Sequence, residues 1–236
     1  MATLTAADLL RLAPVIPVVI LDEPTHAVPL AQALLAGGVP VIEVTLRTPR
    51  ALDVIRAISD SVPGAVVGAG TVTTPDLVRQ AVAAGAQFLV SPGTTERLLD
   101  AMDEAEVPSL PGVASASEVM RLLERGRREM KFFPAQASGG RAFLSALASP
   151  FPDARFCPTG GITPATAPLY RELANVGCVG GSWLTPRDAI AARDWPRIEK
   201  LAAEAVERDG ETVVIALRTT YPSAGNTLSV AAPVLS

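Results

Sequence analysis

The sequence predicts a parallel (β/α)8 barrel, the TIM-barrel architecture, on three observations. Short apolar runs suited to strands recur eight times, over residues 15–20, 41–45, 65–70, 87–91, 107–110, 129–133, 155–158 and 177–180. The segments between them carry helical spacing, as at Leu30, Leu34 and Leu35, or at Leu77, Val78, Ala81 and Val82. The unit repeats every ~20–26 residues, enough for one strand, one helix and their loops. A doubly wound open sheet is the alternative. It is disfavoured because the first strand runs into Leu21-Asp22-Glu23-Pro24 instead of a glycine-rich dinucleotide loop.

Taken in order, residues 3–12 precede the repeat and are expected to form an extra N-terminal helix covering the bottom of the barrel. Later helix starts are marked four times by Thr-Pro: Thr48-Pro49, Thr74-Pro75, Thr163-Pro164 and Thr185-Pro186. Threonine accepts a bond from a free first-turn amide, and proline fits the first helical position because its missing N–H has no partner to lose. Ser115-Ala116-Ser117-Glu118 adds a capping box. Helix ends are expected at Gly37-Gly38, Gly85, Gly126 and near Gly177, where a positive φ is cheap. Pro17, Pro108, Pro111 and Pro158 lie in or beside strands and should occupy strand ends or bulges. The repeat ends near residue 209, so residues 1–209 are read as the barrel and 210–236 as a C-terminal extension. That extension holds the run Val213-Val214-Ile215-Ala216-Leu217 and then a Pro-, Ser- and Gly-containing tail.

Composition removes several function classes. A net charge of −4 argues against a nucleic-acid surface, and the one basic cluster, Arg125, Arg127 and Arg128, reads as a solvated helix end. No apolar run reaches the ~18 residues needed to span a bilayer. The first residues contain Asp8 and lack the basic-then-apolar order of a signal peptide, so a cytoplasmic protein with no membrane partner is expected. Cys157 and Cys178 fall in separate strand segments and read as reduced, buried thiols. His26 is the only histidine, which rules out a metal site built on several histidines, and it reads as a surface or packing residue. No metal or cofactor is expected.

The chemistry centres on residues 129–133. Alternation puts Lys131 and Phe133 on one face of the strand and Met130 and Phe132 on the other. The chain has 18 arginines and only two lysines, Lys131 and Lys200, so a lysine inside an apolar strand suggests a need for an amine. Arginine keeps its proton, whereas a desolvated lysine can lose it and become a nucleophile. The alternative is a lysine at a strand end reaching for water. Active groups in such barrels gather at the C-terminal strand ends. The second strand brings Glu43, Thr45 and Arg47 to the lumen, with Ile42 and Val44 under the helices; a structural Glu43–Arg47 ion pair is the competing reading. Gly68-Ala69-Gly70-Thr71 leaves room and adds a hydroxyl, and Ser91-Pro92-Gly93 shapes a wall. Pro158-Thr159-Gly160-Gly161 and Gly180-Gly181-Ser182 are expected to expose amides before helices, which suits a phosphate. An amine, a carboxylate, a guanidinium, a hydroxyl and a phosphate cradle together imply a phosphorylated keto acid held as an imine.

Six strings then carry a resemblance. Gly-Gly-Val-x-Val-Ile-Glu-Val-Thr-Leu-Arg-Thr (37–48), Val-Gly-Ala-Gly-Thr-Val (67–72), Gly-Ala-Gln-Phe-x-x-Ser-Pro-Gly (85–93), Lys-Phe-Phe-Pro-Ala (131–135), Arg-Phe-Cys-Pro-Thr-Gly-Gly-Ile (155–162) and Gly-Gly-Ser-Trp-Leu (180–184) closely resemble the 2-keto-3-deoxy-6-phosphogluconate (KDPG) aldolase family, which also carries 4-hydroxy-2-oxoglutarate aldolase activity. The resemblance spans roughly residues 5 to 208. It implies a metal-free homotrimer of barrels that forms a Schiff base on Lys131, with Glu43 shuttling protons through a water. Arg47 and Thr71 would hold the pyruvate carboxylate, and Phe133 and Pro92 would line the pyruvoyl pocket. Thr159 would set stereochemistry, and Gly160, Gly161, Gly181 and Ser182 would receive the phosphate. Gln136 departs from the acidic residue common at its place. The competing functions are a galactonate-type aldolase, a keto-acid dehydratase using the same imine, and a non-catalytic sugar-phosphate binder.

Overall fold

The computed structural model describes residues 4–207, so the expectation of an extension over 210–236 lies outside the described residues. The strands are β1 (Val15–Val19), β2 (Val41–Thr45), β3 (Val66–Gly70), β4 (Leu89–Val90), β5 (Ser109–Leu110), β6 (Gly112–Val113), β7 (Glu129–Phe132), β8 (Arg155–Pro158) and β9 (Val179–Gly181). The helices are α1 (Ala6–Leu9), α2 (Ala27–Ala36), α3 (Ala51–Ser61), α4 (Pro75–Ala83), α5 (Glu96–Glu104), α6 (Ala116–Glu124), α7 (Gly140–Ala148), α8 (Ala167–Arg171), α9 (Arg187–Ala192) and α10 (Trp195–Glu207).

The fold is α/β, with a curled parallel sheet and helices laid over its outer face. One ladder runs β5-β4-β3-β2-β1-β9 and a second runs β6-β7-β8. Two isolated parallel bridges tie β8 and the residue after it to the segment that leads into and forms β9: Phe156 with Val176, and Thr159 with Gly180. The strand expected over 107–110 appears as β5, and a further segment, β6, follows it beyond Pro111, so nine strand segments stand where eight apolar runs were read. Pro111 has no N–H to give a ladder, yet its carbonyl accepts the Lys131 N–H at 3.0 Å. Pro108 precedes β5 and Pro158 closes β8, as expected for strand ends; Pro17 sits inside β1, paired in register with Gly181.

Every residue of β1 and β2 is buried, because a parallel sheet under helices is covered on both faces. Alternation then sorts the side chains. Met130 and Phe132 pack outward, Phe132 stacking on Phe143 of α7 with centroids 5.4 Å apart. Ile42 and Val44 belong to the same core beneath the helices, with α3 packed on β2 and β3.

Local signals were realised unevenly. Only Thr74-Pro75 caps a helix as the pattern expects, with the Leu77 N–H donating to the Thr74 hydroxyl at 3.2 Å. Thr48 donates its hydroxyl to the Leu21 carbonyl, Thr163 closes a turn with Thr166, and α9 begins after Pro186 with no side-chain cap. For Thr48 and Thr163 a nearby acceptor or turn uses the group that a cap would need. Thr95 caps α5 instead, accepting from Leu98. The box before α6 forms, although Glu118 reaches back to the Ala114 N–H. Positive φ angles mark Gly38, Gly85 and Gly126 as helix terminators; Gly177 lies beyond the end of α8 and is packed against Leu10. The N-terminal helix is a single turn with a Thr5–Asp8 capping box, anchored by the buried Leu9.

The basic cluster is not simply solvated. Arg125 reaches Glu96, Asp100 and Asp103 on α5, and Arg127 pairs with Asp103 and donates to Ser109 at 2.6 Å. His26 accepts from Arg193 Nε at 3.1 Å and meets Trp195 edge-on. Among the described residues no helix is long and apolar enough to cross a membrane.

Helix α10 closes onto α2 at Gly37, where a Cβ would overlap the Glu199 carbonyl and the Ala202 methyl. Gly37→Val should therefore lower stability by about 2 kcal/mol through overpacking, read as a shift in the urea midpoint with an unchanged slope.

Candidate active site

Glu43 enters from the middle of β2, in register with Val18 on β1 and Gly68 on β3. Lys131 enters from β7, in register with Gly112 on β6 and Cys157 on β8. The two side chains meet across the interior: Lys131 Nζ donates to Glu43 Oε1 at 3.0 Å and lies 3.4 Å from Oε2. Glu43 is 2% exposed and Lys131 3%, so the lysine does not reach out to water, and the competing Glu43–Arg47 ion pair does not form. Taking two charges out of water costs several kcal/mol per ion, which a single pair repays only with close geometry. Such a pair in an apolar wall marks a candidate functional site.

Glycines make the space. A Cβ on Gly70 would overlap the Glu43 carboxylate, and one on Gly112 would overlap the backbone of Pro92. Ser91 fixes that wall, its hydroxyl accepting from the Gly112 N–H at 3.2 Å. Pro92 and Phe133 are half-buried beside the pair, with Lys131 Nζ 5.5 Å from the Phe133 ring centroid.

Arg47 is exposed past the end of β2, and its Nε donates to the Thr71 hydroxyl at 3.0 Å. Thr71 holds φ at +59°, a costly conformation for a β-branched residue and one that gathers at functional sites. Thr45, expected in the lumen, spends its hydroxyl on the Val19 carbonyl at 2.9 Å.

Thr159 is buried at the end of β8 with its hydroxyl over Gly180, where a Cβ would overlap it. Gly160 and Gly161 have φ of +102° and +78°, values only glycine adopts freely. Gly181 is buried against the Trp183 ring and Ser182 is exposed. The glycine pairs do not stand directly at helix N-termini, because α8 starts at Ala167 and α9 at Arg187. What they supply is a turning backbone at two neighbouring strand ends.

Gly112, Ser91 and the two thiols were not singled out as site residues. Cys157 and Cys178 lie one strand–helix repeat apart, which sets them at similar depth on neighbouring strands; that spacing was the available signal. Cys157 Sγ lies 3.9 Å from the Thr159 hydroxyl. The Cys157 thiol and then burial push the Cys178 thiol well above its ordinary value of 9.0, with Glu43 adding to the rise and Arg171 opposing it. Among the described residues, no group of three or more His, Cys, Asp or Glu could hold a metal ion.

A parallel α/β fold with a lysine and a carboxylate buried together near its strand ends defines a protein equipped for carbonyl chemistry through an amine. The family model for KDPG and KHG aldolase matches residues 6–201. The KHG/KDPG aldolase of Escherichia coli (strain K12) is 53% identical over 86% of this chain and 95% of its own. The KDPG aldolase of Legionella pneumophila, solved with pyruvate captured at low pH as a covalent carbinolamine intermediate, is 45% identical with a TM-score of 0.84, over 86% of this chain and 98% of its own. That of Zymomonas mobilis ZM4, solved with 3-phosphoglycerate, is 47% identical with a TM-score of 0.82, over 87% and 96%. This chain belongs to the KDPG and KHG aldolase family, and it is a lyase.

Two outcomes test this geometry. Gly70→Ala should displace the Glu43 carboxylate and cut kcat by roughly 10²-fold or more, measured as pyruvate release by a coupled assay. A raised folded-state Cys178 contributes stability that is complete below its unfolded value and is lost as pH rises through it. Cys178→Ala should therefore flatten the fall in urea midpoint between about pH 8 and about pH 10.

Proposed function

We propose that this protein cleaves 2-keto-3-deoxy-6-phosphogluconate to pyruvate and glyceraldehyde 3-phosphate, and 4-hydroxy-2-oxoglutarate to pyruvate and glyoxylate, through a Schiff base on Lys131. The observation that carries this reading is the 3.0 Å contact between the buried Lys131 Nζ and Glu43 Oε1. The carbinolamine in the Legionella relative supports the same covalent route here.

The proton on Nζ must leave before nitrogen can attack the C2 ketone, and Glu43 is the acceptor within reach. Attack gives a carbinolamine; Glu43 returns the proton to the carbinolamine hydroxyl, which leaves as water, and the resulting iminium draws electrons from the C3–C4 bond. Glu43, through a water, takes the proton from the C4 hydroxyl, and the C3–C4 bond breaks to release the aldehyde. The enamine left on Lys131 is reprotonated at C3, and water then frees pyruvate and the amine.

Arg47, already oriented by Thr71, grips the substrate carboxylate, and a planar guanidinium suits that bidentate contact. Phe133 and Pro92 bound the pyruvoyl pocket. Thr159 faces the cleaving bond and sets its configuration. The turns at Gly160, Gly161, Gly181 and Ser182 take the phosphate through backbone amides and a hydroxyl. The 3-phosphoglycerate bound by the Zymomonas relative supports a phosphorylated ligand.

The same reading closes the sheet into an eight-stranded barrel over residues 1–209, with β5 and β6 as one strand interrupted by Pro111. The bridges between β8 and β9 support that closure. It places the protein in the cytoplasm as a homotrimer, which sedimentation would reveal as three times the chain mass.

Borohydride reduction in the presence of pyruvate should attach a three-carbon adduct to Lys131, located by peptide mass mapping. Lys131→Met should abolish both adduct and turnover, a loss of several orders of magnitude in kcat. Glu43→Gln should keep trapping measurable while slowing cleavage ~10²–10⁴-fold. An adduct on Lys200, or full turnover in Lys131→Met, would refute the assignment.

A further inference from the structure

The loop of residues 160–166 joins β8 to α8 and lies against the turn that follows β7. The Gln136 N–H in that turn donates to the Gly160 carbonyl at 3.0 Å. A Cβ added to Gly161 would overlap the Gln136 Cβ, so the loop touches the base of that side chain. Beyond the loop, on α8, Tyr170 is 2% exposed, and its hydroxyl donates to Gln136 Oε1 at 3.2 Å. One residue therefore holds both ends of the connection, with its backbone at Gly160 and its side chain at Tyr170.

The geometry points to Gln136 as a positioning residue that clasps this loop and keeps the Gly160–Gly161 turn in the shape that receives the substrate phosphate. The clasp stands on the bonds just described; its effect on affinity rests on the phosphate role proposed above. The turn has need of such a hold. With φ of +102° and +78°, Gly160 and Gly161 occupy one of the many conformations open to glycine, and nothing in their own chemistry selects it. Thr159, just before the turn, has a separate tie, because its carbonyl accepts the Ala135 N–H at 2.8 Å. Loss of the clasp should therefore loosen the turn while leaving Thr159 in place.

The connection between the two holds is itself braced. Thr163 and Thr166 exchange bonds, each N–H donating to the other's hydroxyl, at 2.9 and 3.3 Å. The Ala167 N–H donates to the Thr163 carbonyl, and the Tyr170 N–H donates to the Thr166 carbonyl. A shift of Tyr170 is thus passed back toward Gly161 instead of being absorbed on the way. Room for the phenol is provided by Gly140, where a Cβ would come within 3.0 Å of the Tyr170 hydroxyl. Burial pushes the Tyr170 phenol above its ordinary value of 10.0, with Arg141 opposing, so the hydroxyl keeps the proton it donates. A buried hydroxyl deprived of its acceptor is costly, which ties Tyr170 to Gln136.

The test compares the full chain with Gln136→Met, which keeps the side chain's length but has no oxygen, and with Tyr170→Phe. In both variants, amide hydrogen exchange over residues 162–170 should quicken about threefold to tenfold, as loss of one modest hydrogen bond predicts. KM for the phosphorylated keto acid should rise by about the same factor, with kcat and the KM for 4-hydroxy-2-oxoglutarate unchanged. Inorganic phosphate should inhibit 4-hydroxy-2-oxoglutarate cleavage correspondingly less well. The double variant should be no worse than either single one, because both remove the same bond. Gln136→Glu restores an acceptor and should return exchange to the unmodified rate. Unchanged exchange in Gln136→Met, additive losses in the double variant, or an equal rise in both KM values overturns the proposal. Failure of the phosphate reading is separable. Inorganic phosphate would then not inhibit even the unmodified protein, whereas a failed clasp leaves its inhibition equal in every chain.

Discussion

A lysine and a glutamate brought together from strands 88 residues apart in sequence, each stripped of water, set the terms for the rest of the inner wall. Two buried ions need close contact, and close contact needs room for the longer arms of both side chains. Gly70 gives the Glu43 carboxylate its place, and Gly112 lets the strand beside Lys131 approach the Pro92 backbone. A methyl group at either position would intrude on the pair or its wall. The glycines of β3 and β6 are thus consequences of the ion pair as much as features of the strands.

The remaining polar groups of the interior are sorted by whether the fold already satisfies them. Thr45 donates to the Val19 carbonyl, and Ser91 accepts from Gly112, so each ties neighbouring strands of the wall together. Arg47 keeps most of its guanidinium free at the exposed rim, oriented through Nε by a strained Thr71. A residue in a costly backbone conformation persists where its surroundings over-determine it, and here those surroundings face the proposed substrate carboxylate.

The strands were legible because a parallel sheet covered on both faces requires continuous apolar runs, and the helices because their one-sided burial leaves a 3.6-residue period. Helix starts were less legible. Thr-Pro reports a threonine hydroxyl and a proline φ, and both suit a turn or a loop bond as well as a cap; Thr48 and Thr163 went that way. The break at Pro111 could be expected from the missing amide, but not the use of its carbonyl to hold the Lys131 backbone. Arg125 looked solvated because its acidic partners on α5 are distant in sequence.

Sequence alone determined the repeat, the outward and inward faces of the second and sixth predicted strands, and the list of candidate groups: Lys131, Glu43, Arg47, Thr71 and the glycine turns. These follow from periodicity and residue chemistry, which are local properties. Only the tertiary structure decided that Glu43 partners Lys131 and not Arg47, and that Arg47 turns to Thr71. Those choices depend on the curl of the sheet, which brings β2 opposite β7; no spacing along the chain encodes a distance across it.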